Sequence, residues 1–163
     1  NEVQGGFSTL VDGFAVAEYF RKNQQDIFEI LTKTKVRFRF VDKTIILENW
    51  GELIELDESK KIKQVRYSTR LDYVPALDKK ELEKFYEARK LIADLYASSK
   101  FEIKFRLEKG DLLMMDNHRL LHGRTSYDVN DGKRYLKGCY IDHDSTEGKL
   151  RHLERKFGLK WKK

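Results

Sequence analysis

The sequence predicts a mainly β domain with helical insertions, arranged as a β-sandwich that carries a helical insert. Short alternating apolar segments fill much of 35–68, a long helical pattern covers 78–98, and alternating segments return from 101 onward. A chain of 163 residues, of which 40% are hydrophobic, suits one domain with a packed core.

The first predicted elements are one strand and two helices. Residues 8–11 read as a short apolar strand, and the helical pattern over 13–23 follows at once. Asp12 lies between them as an N-cap, because an aspartate side chain accepts hydrogen bonds from the free N–H groups of a first helical turn. A second short helix over 25–31 places its apolar residues on one face.

The next stretch predicts an antiparallel sheet. Residues 35–42 alternate apolar and basic side chains, which is typical of a half-buried strand. Short strands at this spacing usually pair with their neighbours in sequence. Three more strands and two turns are predicted: strands at 44–49, 52–56 and 63–68, with turns at 49–51 and 57–61.

One long helix interrupts the strands. Asp78 and Glu81 resemble a capping box, and the apolar stripe of 78–98 predicts a helix packed on the sheet. After it the pattern alternates again. The later elements are strands at 101–107 and 112–117, a turn at 109–110, a strand holding His122, a strand at 134–142 and a charged helix at 146–157.

Composition narrows the function classes. The net charge of +6 would permit nucleic-acid binding, but the basic residues are scattered among 27 acidic ones and no nucleic-acid motif is present. The single cysteine, Cys139, excludes an internal disulfide framework. No apolar segment is long enough to predict a membrane span. We therefore expect neither nucleic acid nor membrane as a partner, and a cytoplasmic location with a mitochondrial one as the alternative.

The segment 110–140 holds the residues best suited to chemistry. His122 and Arg134 are twelve residues apart (134 minus 122) with turn-forming residues between them, so a hairpin would bring them to one cavity. A neutral imidazole binds iron, copper or zinc, and a guanidinium grips a carboxylate with two hydrogen bonds. The alternative is that His122 is structural and Arg134 is a solvated surface charge.

Three motifs carry a family resemblance. They are GDLLMMDNHRLLHGRTSY at 110–127, RYLKGCYIDHD at 134–144 and GGFSTLVDGFAVAE at 5–18. The chain resembles the taurine-dioxygenase-like Fe(II)/2-oxoglutarate oxygenases, and within them it is most similar to the γ-butyrobetaine branch. The resemblance implies a double-stranded β-helix (jelly-roll) core, of which this chain is an incomplete portion.

The resemblance also implies roles for individual residues. His122 matches an iron ligand, and Arg134 matches the residue that binds the far carboxylate of 2-oxoglutarate, with Ser8 near the same co-substrate. Tyr140 matches an aromatic position of a trimethylammonium cage, since a quaternary ammonium prefers aromatic faces. The alternative for Tyr140 is a core tyrosine on a buried strand. The implied cofactors are Fe(II) and 2-oxoglutarate, with ascorbate as reductant.

One required motif is missing. The family holds iron with an H-x-D or H-x-E pair besides the distal histidine, and this pair belongs upstream of residue 5. The sequence His152–Leu153–Glu154 lies in a predicted helix, where residues i and i+2 point apart, so we interpret it as a surface pair. We expect 1–163 to be the C-terminal part of one catalytic domain, inactive by itself.

Several functions remain open. The favoured one is hydroxylation of a small trimethylammonium substrate, γ-butyrobetaine to carnitine. Ser68 and Thr69 stand where relatives often have two asparagines near the substrate, so trimethyllysine and taurine-type small acids are alternatives. A non-catalytic jelly-roll binding module and a basic nucleic-acid-binding domain are the alternatives from other classes. A homodimer is expected from the resemblance alone.

Overall fold

The structure is a computed structural model that describes residues 5–128, 130, 132 and 135–159. The chain divides into two compact units, Asn1–Gly132 and Lys133–Lys163. We call them the first and the second unit. No helix in the described ranges combines the length and apolar character needed to cross a membrane.

The described residues form four helices and eight strands. The helices are α1 (Gly13–Asn23), α2 (Gln25–Lys33), α3 (Lys79–Tyr96) and α4 (His143–Phe157). The strands are β1 (Ser8–Asp12), β2 (Lys35–Val41), β3 (Ile46–Glu52), β4 (Ile54–Leu56), β5 (Ile62–Val65), β6 (Asp72–Tyr73), β7 (Glu102–Phe105) and β8 (Leu120–Arg124). The helices hold more residues than the strands, so the structure is mixed and the prediction of a mainly β chain is only partly correct.

The strands form three small antiparallel sheets. Their strand orders are β7-β1-β8, β3-β2-β6 and β4-β5. The single sheet predicted over 35–68 is therefore two, since β4 and β5 pair with each other and not with β2 or β3. β1 pairs with strands that follow it by about ninety residues or more, so the sheet β7-β1-β8 joins distant parts of the sequence.

α1 and α3 begin where the sequence predicts. Asp12 Oδ1 accepts hydrogen bonds from the backbone N–H groups of Phe14 (3.0 Å) and Ala15 (3.3 Å), which caps α1. Asp78 Oδ1 accepts from the N–H of Glu81 (2.9 Å) and caps α3. Each aspartate supplies acceptors that the first turn lacks.

The core lies among α1, α2 and α3 and receives buried residues from β1, β2, β4 and β5. α3 was expected to pack on the sheet, but its main contacts are with α1 and α2, because its buried stripe meets their apolar faces. Phe20 is fully buried. The buried core residues are Val11, Val16, Ala17, Phe20, Phe28, Leu31, Val36, Leu53, Ile54, Val65, Phe85, Ala88, Ile92 and Tyr96.

One predicted turn is wrong. Asn49–Gly51 was expected to separate two strands, but it lies inside β3, paired with β2. The hairpin turn falls earlier, where Asp42 Oδ1 accepts hydrogen bonds from the N–H groups of Thr44 (2.7 Å) and Ile45 (2.9 Å). An aspartate that bonds its own backbone two and three residues on stabilises a turn without glycine.

Two predicted strands are not formed. Residues 112–117 and 135–142 have no strand assignment, and within the described ranges no strand pairs with either segment. Leu112 is 90% exposed. A strand is stable only when a neighbour satisfies its N–H and C=O groups, so an apolar pattern alone is insufficient here.

The second unit is described by itself. Its helix α4 begins at His143, three residues earlier than predicted, and ends at Phe157. Gly158 follows as the C-cap, and its φ of +63° suits that position. Arg151 Nη2 donates to Glu147 Oε2 at 2.7 Å, one turn away. None of the helix residues is buried.

Candidate functional site

The pairing of β1 with β8 brings Ser8 and His122 to one sheet. In the antiparallel register, Leu10 lies opposite His122 and Ser8 lies opposite Arg124. Residues directly opposite each other on antiparallel strands project to the same face, and alternate residues along a strand share that face. Ser8, Leu10, His122 and Arg124 are therefore on one face.

The two faces of this sheet differ in burial. Val11 is 6% exposed and Leu121 packs against the core, so their face is directed at the helices. The opposite face, which we call the outer face, carries Ser8, Leu10, His122 and Arg124 together with Ile103 and Phe105 of β7. Ile103 is 60% exposed. In the described part of the chain the outer face is open to solvent and accessible to a ligand.

An ion pair fixes β8 at the start of α1. Arg119 Nη2 donates to Asp12 Oδ2 at 2.7 Å, Arg119 Nε donates to Asp12 Oδ1 at 3.2 Å, and the N–H of Gly13 donates to the Arg119 carbonyl at 3.0 Å. The Arg119 guanidinium, with backbone N–H groups of α1, lowers the pKa of Asp12, and Asp12 raises the pKa of Arg119.

The turn before β8 is tied down as well. Leu120 donates its N–H to the Asp116 carbonyl at 2.8 Å, and Asp116 Oδ1 accepts from the N–H of His118 at 2.9 Å. The N–H of Val65 donates to the His118 carbonyl at 2.9 Å, which joins β5 to this turn. His118 therefore has a local structural position at the entry to β8.

The other end of the pairing depends on glycine. Thr125 donates its N–H to the Phe7 carbonyl at 2.9 Å, and Gly6 donates its N–H to the Ser126 carbonyl at 3.0 Å. Gly5 has φ of +78°, and a Cβ there would lie 2.4 Å from the Ser126 carbonyl oxygen. Only glycine permits this approach, which explains the Gly-Gly that precedes Phe7 and Ser8.

Arg124 lies beside an aromatic ring. Its guanidinium carbon is 4.7 Å from the centroid of the Tyr127 ring. A guanidinium stacked on an aromatic face keeps its edge N–H donors available. In the described ranges, no carboxylate lies within 4.0 Å of Arg124.

His122 is not part of a complete iron site among the described residues. A facial iron centre needs two histidines and a carboxylate. Among the described residues, His122 belongs to no group of three histidine, cysteine or acidic side chains whose ligand atoms lie within 4.8 Å of one another. His122 is an accessible imidazole that offers one ligand, and the remaining donors are not found in the described ranges.

The other predicted site residues have separate outcomes. Arg134 lies outside the described residues. Tyr140 lies in the second unit, has no strand assignment and is 85% exposed, so the alternative of a buried core tyrosine is wrong. His152 and Glu154 lie on α4, and the prediction of a surface pair is only partly correct, because His152 is exposed and Glu154 is half-buried.

The sequence analysis missed two features of the site. The Asp12–Arg119 ion pair and the stacked Arg124 were not among the predicted site residues. Both arginines stand inside the motif that contains His122, so their position in DNHRLLHGR was the available signal. The partner of Arg119 is 107 residues away, and sequence spacing does not indicate such a pair.

Comparison with protein families decides the relationship. Residues 1–140 match the family described as taurine catabolism dioxygenase TauD, TfdA family. The chain belongs to this family. The match covers the outer face and its motifs, and the predicted resemblance is confirmed. Enzymes of this family in general use Fe(II) and 2-oxoglutarate.

Individual relatives narrow the comparison. The chain is 32% identical to gamma-butyrobetaine dioxygenases from Pseudomonas sp. (strain AK-1) and Homo sapiens, over 95% and 94% of its length. It is 31% identical to a trimethyllysine dioxygenase from Meyerozyma guilliermondii, over 94% of its length. These alignments cover 40%, 41% and 39% of the respective relatives. The chain thus spans about two fifths of the curated relatives it matches.

Proposed function

We propose that this chain is part of an Fe(II)/2-oxoglutarate-dependent dioxygenase that hydroxylates a small trimethylammonium substrate, with γ-butyrobetaine the favoured one. The observation that carries the proposal is the outer face, where His122 and Ser8 share an accessible sheet surface. The proposal is also supported by the family match and by relatives that are gamma-butyrobetaine and trimethyllysine dioxygenases.

In this proposal His122, Ser8 and Arg134 each have a defined task. His122 supplies one metal ligand through its imidazole. Ser8 hydrogen-bonds the co-substrate through its hydroxyl, a role supported by its place on β1 two residues from Leu10, which lies opposite His122. Arg134 binds the far carboxylate of 2-oxoglutarate, because a guanidinium pairs with a carboxylate through two parallel hydrogen bonds.

The remaining ligands come from elsewhere in a longer protein. We propose that 1–163 forms the C-terminal part of one jelly-roll catalytic domain and that an upstream segment supplies the H-x-D pair. Such a segment must reach His122, so it must cover the outer face. Ile103 and Leu10 offer apolar surface for it to bury. The 163-residue chain by itself is expected to bind iron poorly.

Tyr140 is proposed for the cationic end of the substrate. A quaternary ammonium has no hydrogen to donate, so its recognition depends on aromatic faces. The Tyr140 ring is largely exposed in the second unit and is accessible to a ligand. Replacement of Tyr140 by alanine is expected to weaken binding of a trimethylammonium substrate and to leave a taurine-type substrate unaffected.

Trimethyllysine is the second candidate substrate. It is supported by the trimethyllysine dioxygenases among the relatives. Ser68, which stands at the position where an asparagine is frequent, accepts hydrogen bonds from Arg70 (3.2 Å) and Leu71 (3.1 Å) backbone N–H groups. Its hydroxyl oxygen is therefore engaged in its own loop, and recognition of the substrate there differs from recognition by an amide.

The test is succinate formation by the full-length protein supplied with Fe(II) and 2-oxoglutarate. Succinate stimulated by γ-butyrobetaine, more than by trimethyllysine or taurine, is the expected result. Stimulation by trimethyllysine alone would support the proposed oxygenase activity and identify trimethyllysine, in place of γ-butyrobetaine, as the substrate. Folded protein that produces no succinate and binds no iron would favour a non-catalytic jelly-roll module.

A further inference from the structure

We propose that Arg124 binds the carboxylate of the substrate. The inference rests on the proposed function, since it takes the outer face as the place where substrate binds. It adds a recognition element for the anionic end of the substrate.

Position on the strand is the first argument. Arg124 follows His122 by two residues on β8, so both project to the outer face, roughly 7 Å apart along the strand. It lies directly opposite Ser8. A small ligand that reaches His122 and Ser8 is therefore beside the Arg124 side chain.

The charge of Arg124 is the second argument. Most described arginines of the first unit have a carboxylate within 4.0 Å; these are Arg21, Arg37, Arg39, Arg66, Arg89 and Arg119. Within the described ranges Arg124 has no carboxylate within 4.0 Å, although Lys104 and Glu102 of the same sheet form an ion pair. A guanidinium has five donors and no acceptor, so a ligand carboxylate would meet donors that are not already used.

Orientation is the third argument. The guanidinium rests over the Tyr127 ring at 4.7 Å. This contact with the ring restricts the conformations that the Arg124 side chain adopts. A side chain that is already oriented loses less conformational entropy when it binds a ligand.

The chemistry of the substrate matches this arrangement. γ-Butyrobetaine is a short zwitterion with a trimethylammonium group at one end and a carboxylate at the other. The carboxylate needs hydrogen-bond donors and positive charge, which an arginine supplies in a bidentate geometry. Arg134 is already assigned to 2-oxoglutarate, so a second arginine is available for the substrate.

The experiment compares two ligands that differ only in charge at one end. Calorimetric titration of the full-length protein with γ-butyrobetaine and with its carboxamide would be run for wild type, Arg124→Gln and Arg124→Lys. We expect Arg124→Gln to weaken γ-butyrobetaine binding about 10- to 100-fold and carboxamide binding by less than about 3-fold. Arg124→Lys should retain part of the preference, because it keeps the charge and loses the bidentate geometry.

A matched control is Lys104→Gln, which removes one positive charge from the opposite face of the same sheet, where Lys104 pairs with Thr9. It should leave both affinities unchanged. Equal weakening of both ligands by Arg124→Gln, or no weakening of either, would overturn the inference. Weakened 2-oxoglutarate binding with unchanged γ-butyrobetaine binding would overturn it too, by assigning Arg124 to the co-substrate.

The outcome is separable from that of the proposed function. Succinate formation by wild type tests the oxygenase, and the carboxylate preference is an equilibrium measurement that needs no turnover. Wild type that binds γ-butyrobetaine and forms no succinate would refute the oxygenase and still allow the Arg124 test. Wild type that binds neither ligand would refute the inference.

Discussion

The two faces of the β7-β1-β8 sheet use the same strands for different purposes. Val11 and Leu121 face the helices and join a core that includes Phe20. Ser8, His122 and Arg124 face outward and lie among exposed groups. One strand thus contributes alternate residues to stability and to a binding surface, so substitutions one position apart should have different consequences.

The largest expected effect is loss of metal binding on the outer face. His122→Ala in the full-length protein should abolish iron binding and turnover, because it removes a ligand that no described neighbour replaces. Its free energy of unfolding should change by only about 0.5 kcal/mol, as for other exposed side chains. Metal content and urea denaturation would test the two halves of this expectation.

Arg134→Ala should have a smaller effect than His122→Ala. It should weaken 2-oxoglutarate binding by about 2 to 5 kcal/mol, since one partner of a charged pair is removed, and leave iron binding largely intact. Equal loss of iron from both variants would show that Arg134 is structural and that its assignment to the co-substrate is wrong.

The next largest effect separates the core from the outer face. Phe20→Ala should lower the free energy of unfolding by about 3 to 5 kcal/mol, because Phe20 is fully buried. Ile103→Ala, on the outer face, should cost about 0.5 kcal/mol in the 163-residue chain.

Ile103→Ala also tests the proposed upstream segment. If that segment covers the outer face, the same substitution should cost roughly 2 kcal/mol or more in the full-length protein, since a covered isoleucine loses buried area and leaves a cavity. Equal costs in the two chains would contradict a cover over Ile103.

The smallest effect concerns the Asp12–Arg119 ion pair, which joins the start of α1 to the residue before β8. The pKa of Asp12 is lowered in the folded protein from its ordinary value of 3.8. The charged carboxylate therefore stabilises the fold at pH values above 3.8, and this contribution is lost as the pH falls through the folded pKa. Asp12→Asn keeps an N-cap and loses the ion pair, so it should cost less than about 1 kcal/mol at pH 7.

The measurement for Asp12 is urea unfolding of wild type and variant at pH 7 and pH 3. The difference between them should shrink at pH 3, where the wild-type carboxylate is increasingly protonated. Asp12→Ala is the control that also removes the cap, and it should cost about 0.5 to 2 kcal/mol more. A pH-independent difference would show that the ion pair contributes nothing.

Local signals predicted most of the helices and several strands. The bounds of α1 match the prediction because Asp12 caps it and its apolar spacing is regular. The signals failed where long-range pairing decides. Residues 112–117 begin with an apolar run that suggested a strand, but they find no strand partner in the described ranges. Asn49–Gly51 remains in β3 because β2 pairs along its whole length.

Part of the candidate site was also predictable from the sequence. Motif resemblance singled out Ser8 and His122, and their common face became visible only through the β1–β8 register. Burial corrected one interpretation, since Tyr140 is not a core residue. The roles of Asp12, Arg119 and Arg124 depend on which side chains meet in space, and neither residue type nor spacing contains that information.

The distance along the chain between β1 and β8 has a consequence for folding. Ser8 pairs with Arg124, a separation of 116 residues (124 minus 8), whereas α1 and α2 are adjacent in sequence. Contacts between distant residues carry a greater chain-closure cost and slow folding. We expect the helical core to form first and the strand with His122 to dock late, so intermediates would have a hydrophobic core before they have a binding surface.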